Sequence, residues 1–376
     1  MLNGVLIASW VARIPAIRER LALGEAALGV ALLAIAVGAL AAFPLAGWSV
    51  SRLGGKRTAI AGVLLMSAAL LGAALAPSLP LLMAALFLFG AGNGGNDVAM
   101  NALAVDVERA YRRPIMSSFH ALWSGGALFG AGIGALLIRG GLAPLGHFAI
   151  VTIVTVVLVL GVVMRLLPAA AARPAGAAAR GPIFAVPPRV LWGVGLVAFA
   201  AALGEGAMGD WSAVFLRDGL GTGEAAAAAG YASFSVAMLV ARTLGDTMTA
   251  RWGAGRVVAF GGALAALGLG TALLVAEPWA ALVGFACVGW GVASAFPLAF
   301  SAAGNTPGVD QGFALAAVAT MGYTGFLVGP VLIGSLAEVF TLRVGLVVVV
   351  VFLLFMATLA PNLQARGREV RSGTPR

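Results

Sequence analysis

Apolar residues run along this chain in blocks, near 1–18, 25–48, 58–76, 79–104, 117–138, 145–167, 190–215, 223–248, 257–276, 279–303, 312–337 and 341–361, separated by short polar stretches. The pattern predicts twelve helices. Pro77 and Pro80, Pro144, Pro187 and Pro188, Pro278 and Pro361 fall at or near the block ends, where a residue without an N–H stops a helix. In lipid every backbone N–H and C=O must be satisfied inside the protein, and unbroken apolar runs of this length select spanning helices over barrel strands. The first block is the exception: only about a dozen apolar residues precede Arg13, where about 20 are needed to span, so a short helix or a start further upstream is expected. Met1 to Ala12 has no basic stretch ahead of it and is not read as a cleaved signal.

Composition agrees with that reading. Of 376 residues 61% are hydrophobic and 10% charged, with a mean hydropathy of +1.03. This is more apolar surface than one soluble core can hide. The net charge of +9 lies in short clusters between the blocks, without the aromatic-interleaved basic patch that would suggest nucleic acid. With the N-terminus placed in the cytoplasm, sixteen basic residues fall on cytoplasmic segments and six on external ends, with Arg242 inside a span. The positive-inside bias therefore puts both termini in the cytoplasm of an inner-membrane, multi-pass protein. The single cysteine, Cys287, rules out an internal disulfide and a cysteine metal cluster.

Residues 168–189, rich in Ala, Pro and Gly, divide the blocks six and six and are expected to link a bundle over 1–167 to a second over 190–363, followed by a basic tail over 364–376. The halves repeat. An offset of 199 pairs Arg52-Leu53-Gly54-Gly55-Lys56-Arg57 with Arg251-Trp252-Gly253-Ala254-Gly255-Arg256, Gly24-Glu25-Ala26 with Gly223-Glu224-Ala225, Gly90 and Gly92 with Gly289 and Gly291, and Gly126 and Gly130 with Gly325 and Gly329. This predicts a duplicated six-helix unit.

The segment Gly47-Trp48-Ser49-Val50-Ser51-Arg52-Leu53-Gly54-Gly55-Lys56-Arg57 resembles the G-x-x-x-D-R-x-G-x-R/K-R/K signature of the major facilitator transporters, with Ser51 where an Asp is expected. Gly92-Asn93-Gly94-Gly95-Asn96-Asp97-Val98-Ala99-Met100-Asn101, and Ala295-Phe296-Pro297-Leu298-Ala299-Phe300-Ser301, are similar to the fucose-permease group of proton symporters. Ser9-Trp10-Val11-Ala12-Arg13-Ile14-Pro15, Arg113-Pro114-Ile115-Met116-Ser117-Ser118-Phe119-His120 and Glu205-Gly206-Ala207-Met208-Gly209-Asp210-Trp211-Ser212 resemble the YbjJ-type inner-membrane permeases. The resemblance covers essentially the whole chain. It implies the twelve-helix major facilitator fold, all α, in two pseudo-symmetric six-helix bundles, with helices one, four, seven and ten lining the cavity. It also implies a conformational latch at Arg52, Lys56 and Arg57, from which Ser51 removes the acid. Val11 stands where the fucose-permease group carries an acid on its first helix, so half of that group's coupling pair is missing.

Charges inside spans cost on the order of 2.5–3.5 kcal/mol each at a helix centre, so the short list of them carries the functional expectation. Asn93, Asp97 and Asn101 stand at i, i+4 and i+8 and make a polar stripe with Asn96 beside it. A carboxyl there, partly removed from water, suits cycling between protonated and ionised forms. Arg13 is expected either to snorkel to the interface or to turn inward toward Asp97, Glu205 or a substrate carboxylate or hydroxyl. Glu205 is a second candidate cavity acid and Asp210 a gate or cap near the outer end of its helix. Arg242, Asp246 and Arg251 read as a structural charge network around the second copy of the signature loop. His120 and Trp123 read as packing residues, and Tyr231, Trp290, Phe296 and Tyr323 as packing that could also stack on a ligand.

These features point to a monomeric secondary transporter of a small solute, a sugar or related metabolite, coupled to protons, with proton-antiport export as the alternative. An embedded enzyme is disfavoured, because there is no H-E-x-x-H, aspartate-rich cluster or G-x-S-x-G, and the two histidines are His120 and His147. No G-x-x-x-x-G-K-S/T for ATP is present, and no cofactor or metal is expected. A non-transporting receptor would have no use for the polarity of Asp97, Asn101 and Glu205.

Overall fold

The computed structural model describes residues 1–23, 25–163, 187–222 and 224–363. Most of the expected linker, the basic tail, and Gly24 and Gly223 of the repeat lie outside them. The described chain is helical, in the order α1 (Leu2–Arg20), α2 (Glu25–Leu53), α3 (Gly55–Leu75), α4 (Leu79–Tyr111), α5 (Met116–Arg139), α6 (Pro144–Leu158), α7 (Arg189–Val214), α8 (Glu224–Trp252), α9 (Ala254–Val275), α10 (Pro278–Val292), α11 (Ala295–Gly304), α12 (Gln311–Val339) and α13 (Leu342–Leu359). No strand occurs among the described residues. Ten stretches there are long and apolar enough to cross a membrane, counting α10 and α11 as one span. The other two segments are α1, whose apolar part is Leu2–Ile14, and α8, which is 29 residues long and carries Arg242, Asp246 and Arg251. At 19 residues and 1.5 Å per residue, α1 is about 28 Å long, nearly the thickness of the hydrocarbon core.

The tenth apolar block is one element in sequence and two in structure, broken at Ala293 and Ser294. The cause is Pro297, which has no N–H for the carbonyl of Ala293 four residues earlier. The helix restarts through Leu298 N–H to Ser294 O at 3.0 Å.

The described residues form two compact units. One holds Met1–Asp106, the stretch that begins at Leu122, and Asp310–Ala316; the other holds Val107–Ala121, Pro187–Val309 and the chain from Ala317 onward. In the first unit the core gathers Leu6, Trp10, Ile17, Met66, Leu70, Leu82, Phe89 and Phe148, all at most 2% exposed. Large apolar side chains lie on the outside, among them Leu136 at 68% and Leu274 at 80% exposed, the arrangement that lipid rather than water favours.

Glycines set the helix spacing, and they do so twice. In the first unit a Cβ at Gly62 would stand 2.8 Å from the carbonyl oxygen of Gly92, and one at Gly90 would meet the backbone of Ile35. In the second unit, Gly261 meets Gly291 and Gly289 meets Phe234 in the same way. Every one of these pairs is related by the offset of 199. So are the residues that start α3 and α9: Gly54 (φ 87°, ψ 153°) and Gly253 (φ 82°, ψ 152°) share a conformation open to glycine alone. The sequence repeat is therefore a repeat of backbone geometry, with close helix contact made possible by small residues.

Candidate functional site

On α4 the expected polar stripe divides into two local arrangements. Asn93 and Asn96 both accept from one amide, Nδ2 of Asn3 on α1, at 2.9 and 3.1 Å. Asn3 in turn accepts from the indole N–H of Trp123 on α5 at 2.7 Å, and Asn96 donates to the carbonyl of Ala59 on α3 at 2.9 Å. One turn further along α4, Asn101 bends back on Asp97, its Nδ2 donating to the backbone oxygen at 2.8 Å and to Oδ1 at 3.1 Å. Asn96 and Asn101 are buried, whereas Asn93, Asp97 and Trp123 are half-buried. Asn3 is the hub the sequence reading missed. Its signal was a lone amide in an apolar first helix.

Arg13 does not snorkel and is not joined to Asp97 or Glu205. It is 4% exposed and its Nε donates to Nδ1 of His147, at the start of α6, at 3.0 Å. Choosing that partner required knowing that α1 packs beside α6, which spacing along the sequence does not encode.

In the second unit Glu205 on α7 pairs with Arg242 on α8 at 3.7 Å. Arg242 also donates from Nε to the carbonyl of Ala293 at 3.4 Å, the acceptor released by Pro297. The three residues expected to form one charge network are instead dispersed. Arg242 lies with Glu205. Asp246 accepts from the backbone N–H groups of Ser117 (2.9 Å) and Ser118 (2.8 Å) and from the Ser118 hydroxyl. Arg251 rests 5.9 Å from the centre of the Trp252 ring. Asp246 therefore places a carboxylate on the N-terminus of α5, where unsatisfied N–H groups and the helix dipole favour an anion. Asp210 is exposed on α7. His120 stacks on Phe300, centroids 6.2 Å apart, and Phe300 continues through Phe296 to Phe326 and Tyr323.

Removing only the Arg242 side of its pair leaves a carboxylate without its counter-ion and a carbonyl without its donor. The expected cost is about 2 kcal/mol, below the 3–5 kcal/mol of a fully buried pair because Glu205 keeps some solvent contact. Arg242→Met should lower the melting temperature in detergent by several degrees, and adding Glu205→Gln should recover more than half of the loss. A double variant no better than the single one would show that the pair carries none of it.

The signature loop sits at the end of α2, with Arg52 and Arg57 exposed and Lys56 half-buried. Ser51, in the position of the family's acid, bonds to a carboxylate supplied from elsewhere, Oδ1 of Asp310. Asp310 also accepts from the N–H of Phe313 at 2.9 Å, capping α12, and Gln311 donates to the carbonyl of Ala102 at 3.1 Å. Sequence reading also missed Glu108. Its Oε2 accepts from the N–H groups of Ile115 and Met116, both at 3.0 Å, and its Oε1 accepts from the Ser301 hydroxyl. Next to it Arg109 donates to Asn305 and to the Gly304 carbonyl, at the C-terminus of α11, the end of a helix that favours a cation.

Among the described residues no cluster of three His, Cys, Asp or Glu side chains could hold a metal ion. Comparison with known proteins gives a match to the family model described as Major Facilitator Superfamily, over residues 2–246 and 194–374. The chain is 41% identical over 366 residues to the uncharacterized transporter y4wD of Sinorhizobium fredii, covering 97% of this chain and 96% of that one. It is 36% identical over 366 residues to an uncharacterized MFS-type transporter of Yersinia pestis, covering 95% and 92%. Among solved structures, a point variant of the E. coli fucose:proton symporter FucP superposes with a TM-score of 0.77 at 16% identity, covering 96% of each chain.

Proposed function

Because the chain belongs to the Major Facilitator Superfamily, whose members are multi-pass membrane transporters of small molecules and not enzymes, we propose that it moves a small hydroxyl-bearing solute, a sugar or related metabolite, by alternating access coupled to protons. One observation carries this reading: Asp97, an ionisable carboxyl in the middle of a spanning helix, lies one turn from the half-buried amide of Asn93. Asn93, through Asn3, shares a hydrogen-bond network with the half-buried Trp123. Amides and an indole face suit hydroxyls and the C–H surface of a sugar ring. The carboxyl suits a proton. The FucP likeness supports the fold; the solute and the coupling rest on the residues named.

The distribution of Arg and Lys supports an inner-membrane location with both termini in the cytoplasm. It also supports a cytoplasmic linker over 168–189 between bundles over 1–167 and 190–363, with the tail over 364–376 on the same side. Proteoliposomes with a pH dye outside test the whole reading against a panel of sugars, sugar acids and amino acids. Addition of one solute class should alkalinise the outside, with the signal abolished by a protonophore. Acidification would replace symport by antiport. Solute flux without any proton movement would remove the coupling.

A further inference from the structure

His147 is 0% exposed. Its Nδ1 accepts from Arg13 Nε at 3.0 Å. A ring nitrogen that accepts a hydrogen bond carries no proton, so His147 is neutral here, with its proton on Nε2. That Nε2 is buried and without a partner, and so is Nη2 of Arg13. The indole N–H of Trp10, one turn earlier on the same face of α1, is in the same condition. Three N–H donors are therefore held in the interior of the first unit with no acceptor. Native proteins seldom leave such groups unsatisfied.

Among the described residues the surroundings offer no bonded anion. From α1 the charged group in contact is Arg13. From α5 comes Gly134, where a Cβ would lie 3.3 Å from Cε1 of His147. From α3 the backbone of Ser67 accepts from Thr152 on α6 at 3.2 Å, and the only charged residues of α3, Lys56 and Arg57, are in its first turn. On α6 itself the neighbouring ring is Phe148, at 5.6 Å. Among the described residues no carboxylate is bonded to either member of the pair.

We propose that His147 is a proton-binding site of the transport cycle and that Arg13 senses its charge. The bond between them exists only while His147 is neutral. A proton added to the Nδ1 lone pair turns the acceptor into a donor, sets two cations against each other without a counter-ion, and releases α1 from α6. Opening of this contact and proton uptake then become one event, as coupling between a proton and a helix movement requires. Arg13 is a positioning residue in this scheme, and His147 holds the proton. The inference deepens the proton-coupled reading and rests on it for its place in the cycle.

The test uses no solute, so its failure is distinct from failure of the transport assay. The chain has two histidines, so protein labelled with 15N-histidine and purified in detergent gives two sets of ring signals, which His120→Asn assigns by elimination. At pH 8 the His147 signals should show the proton on Nε2 and a hydrogen-bonded, unprotonated Nδ1. On lowering the pH to 5 they should convert to imidazolium, and the melting temperature should fall. His147→Asn places an amide oxygen near the Nδ1 position, able to accept from Arg13 at either pH, so its melting temperature should lose most of that pH response, whereas His120→Asn should keep it. A proton on Nδ1 at pH 8 would overturn the proposal. So would a His147 signal that stays neutral to pH 5, or equal pH responses in wild type and His147→Asn; each would leave the pair a packing contact only. Should His147→Asn fail to fold, the wild-type tautomer and titration decide alone.

Discussion

Replacing Gly90 by valine is expected to eliminate the folded protein. A Cβ there would stand 2.8 Å from Cα of Ile35 and still closer to its carbonyl, and these are backbone atoms that no rotamer change can move aside. Inserting methyl groups into a well-packed site costs about 1–3 kcal/mol when neighbours can adjust. Here the whole α2–α4 contact must separate. Between helices in lipid, close packing supplies much of the attraction, because burial of apolar surface gains little against acyl chains. The repeat makes a second, independent prediction: Gly289→Val, whose Cβ would meet the backbone of Phe234, should fail equally. Gly132 has open space where its Cβ would be, so Gly132→Ala should be neutral or stabilise by up to about 1 kcal/mol. Size-exclusion profiles of fluorescently tagged variants decide it: a monodisperse Gly90→Val peak at wild-type height would refute the packing argument.

Those glycines were legible in the sequence because they recur at a fixed offset, and because small residues at helix contacts are a requirement that both halves share. The same holds for the apolar blocks, but not for the break ahead of Pro297: Pro44 and Pro330 stand inside continuous helices, so a proline within an apolar block does not by itself announce one. Polar partners were less legible. Arg13 was assigned to Asp97 or Glu205, yet it bonds His147; Arg242 was grouped with Asp246 and Arg251, yet it pairs with Glu205. Each choice depends on which helices are neighbours in space, and hydrophobic periodicity reports only that a helix has a buried face. The departure at Ser51 shows the same thing from the other side. Judged within its own motif, the position lacks an acid; in the folded chain the hydroxyl bonds to Asp310, 259 residues away. A carboxylate at that helix terminus is what the physics asks for, and which residue supplies it is free to change.

Asp97→Asn should separate accumulation of the solute from its exchange. The variant keeps size and shape, and its amide can still take part in a hydrogen bond with Asn101, which now holds the carboxylate at 3.1 Å. What it loses is the ability to gain and release a proton. Under proton coupling one charge moved through 100 mV supplies about 2.3 kcal/mol, which at 1.4 kcal/mol per tenfold sustains roughly forty-fold accumulation. The variant should therefore bring a transported solute only to equal concentrations on the two sides, whatever the imposed gradient, while exchange of labelled for unlabelled solute proceeds within a few-fold of wild type. Loss of both activities would instead place Asp97 in solute binding. Undiminished accumulation would transfer the coupling to another titratable group. His147 and Glu205 are the first candidates, and among the described residues Glu205 has an opposite charge paired with it whereas His147 does not.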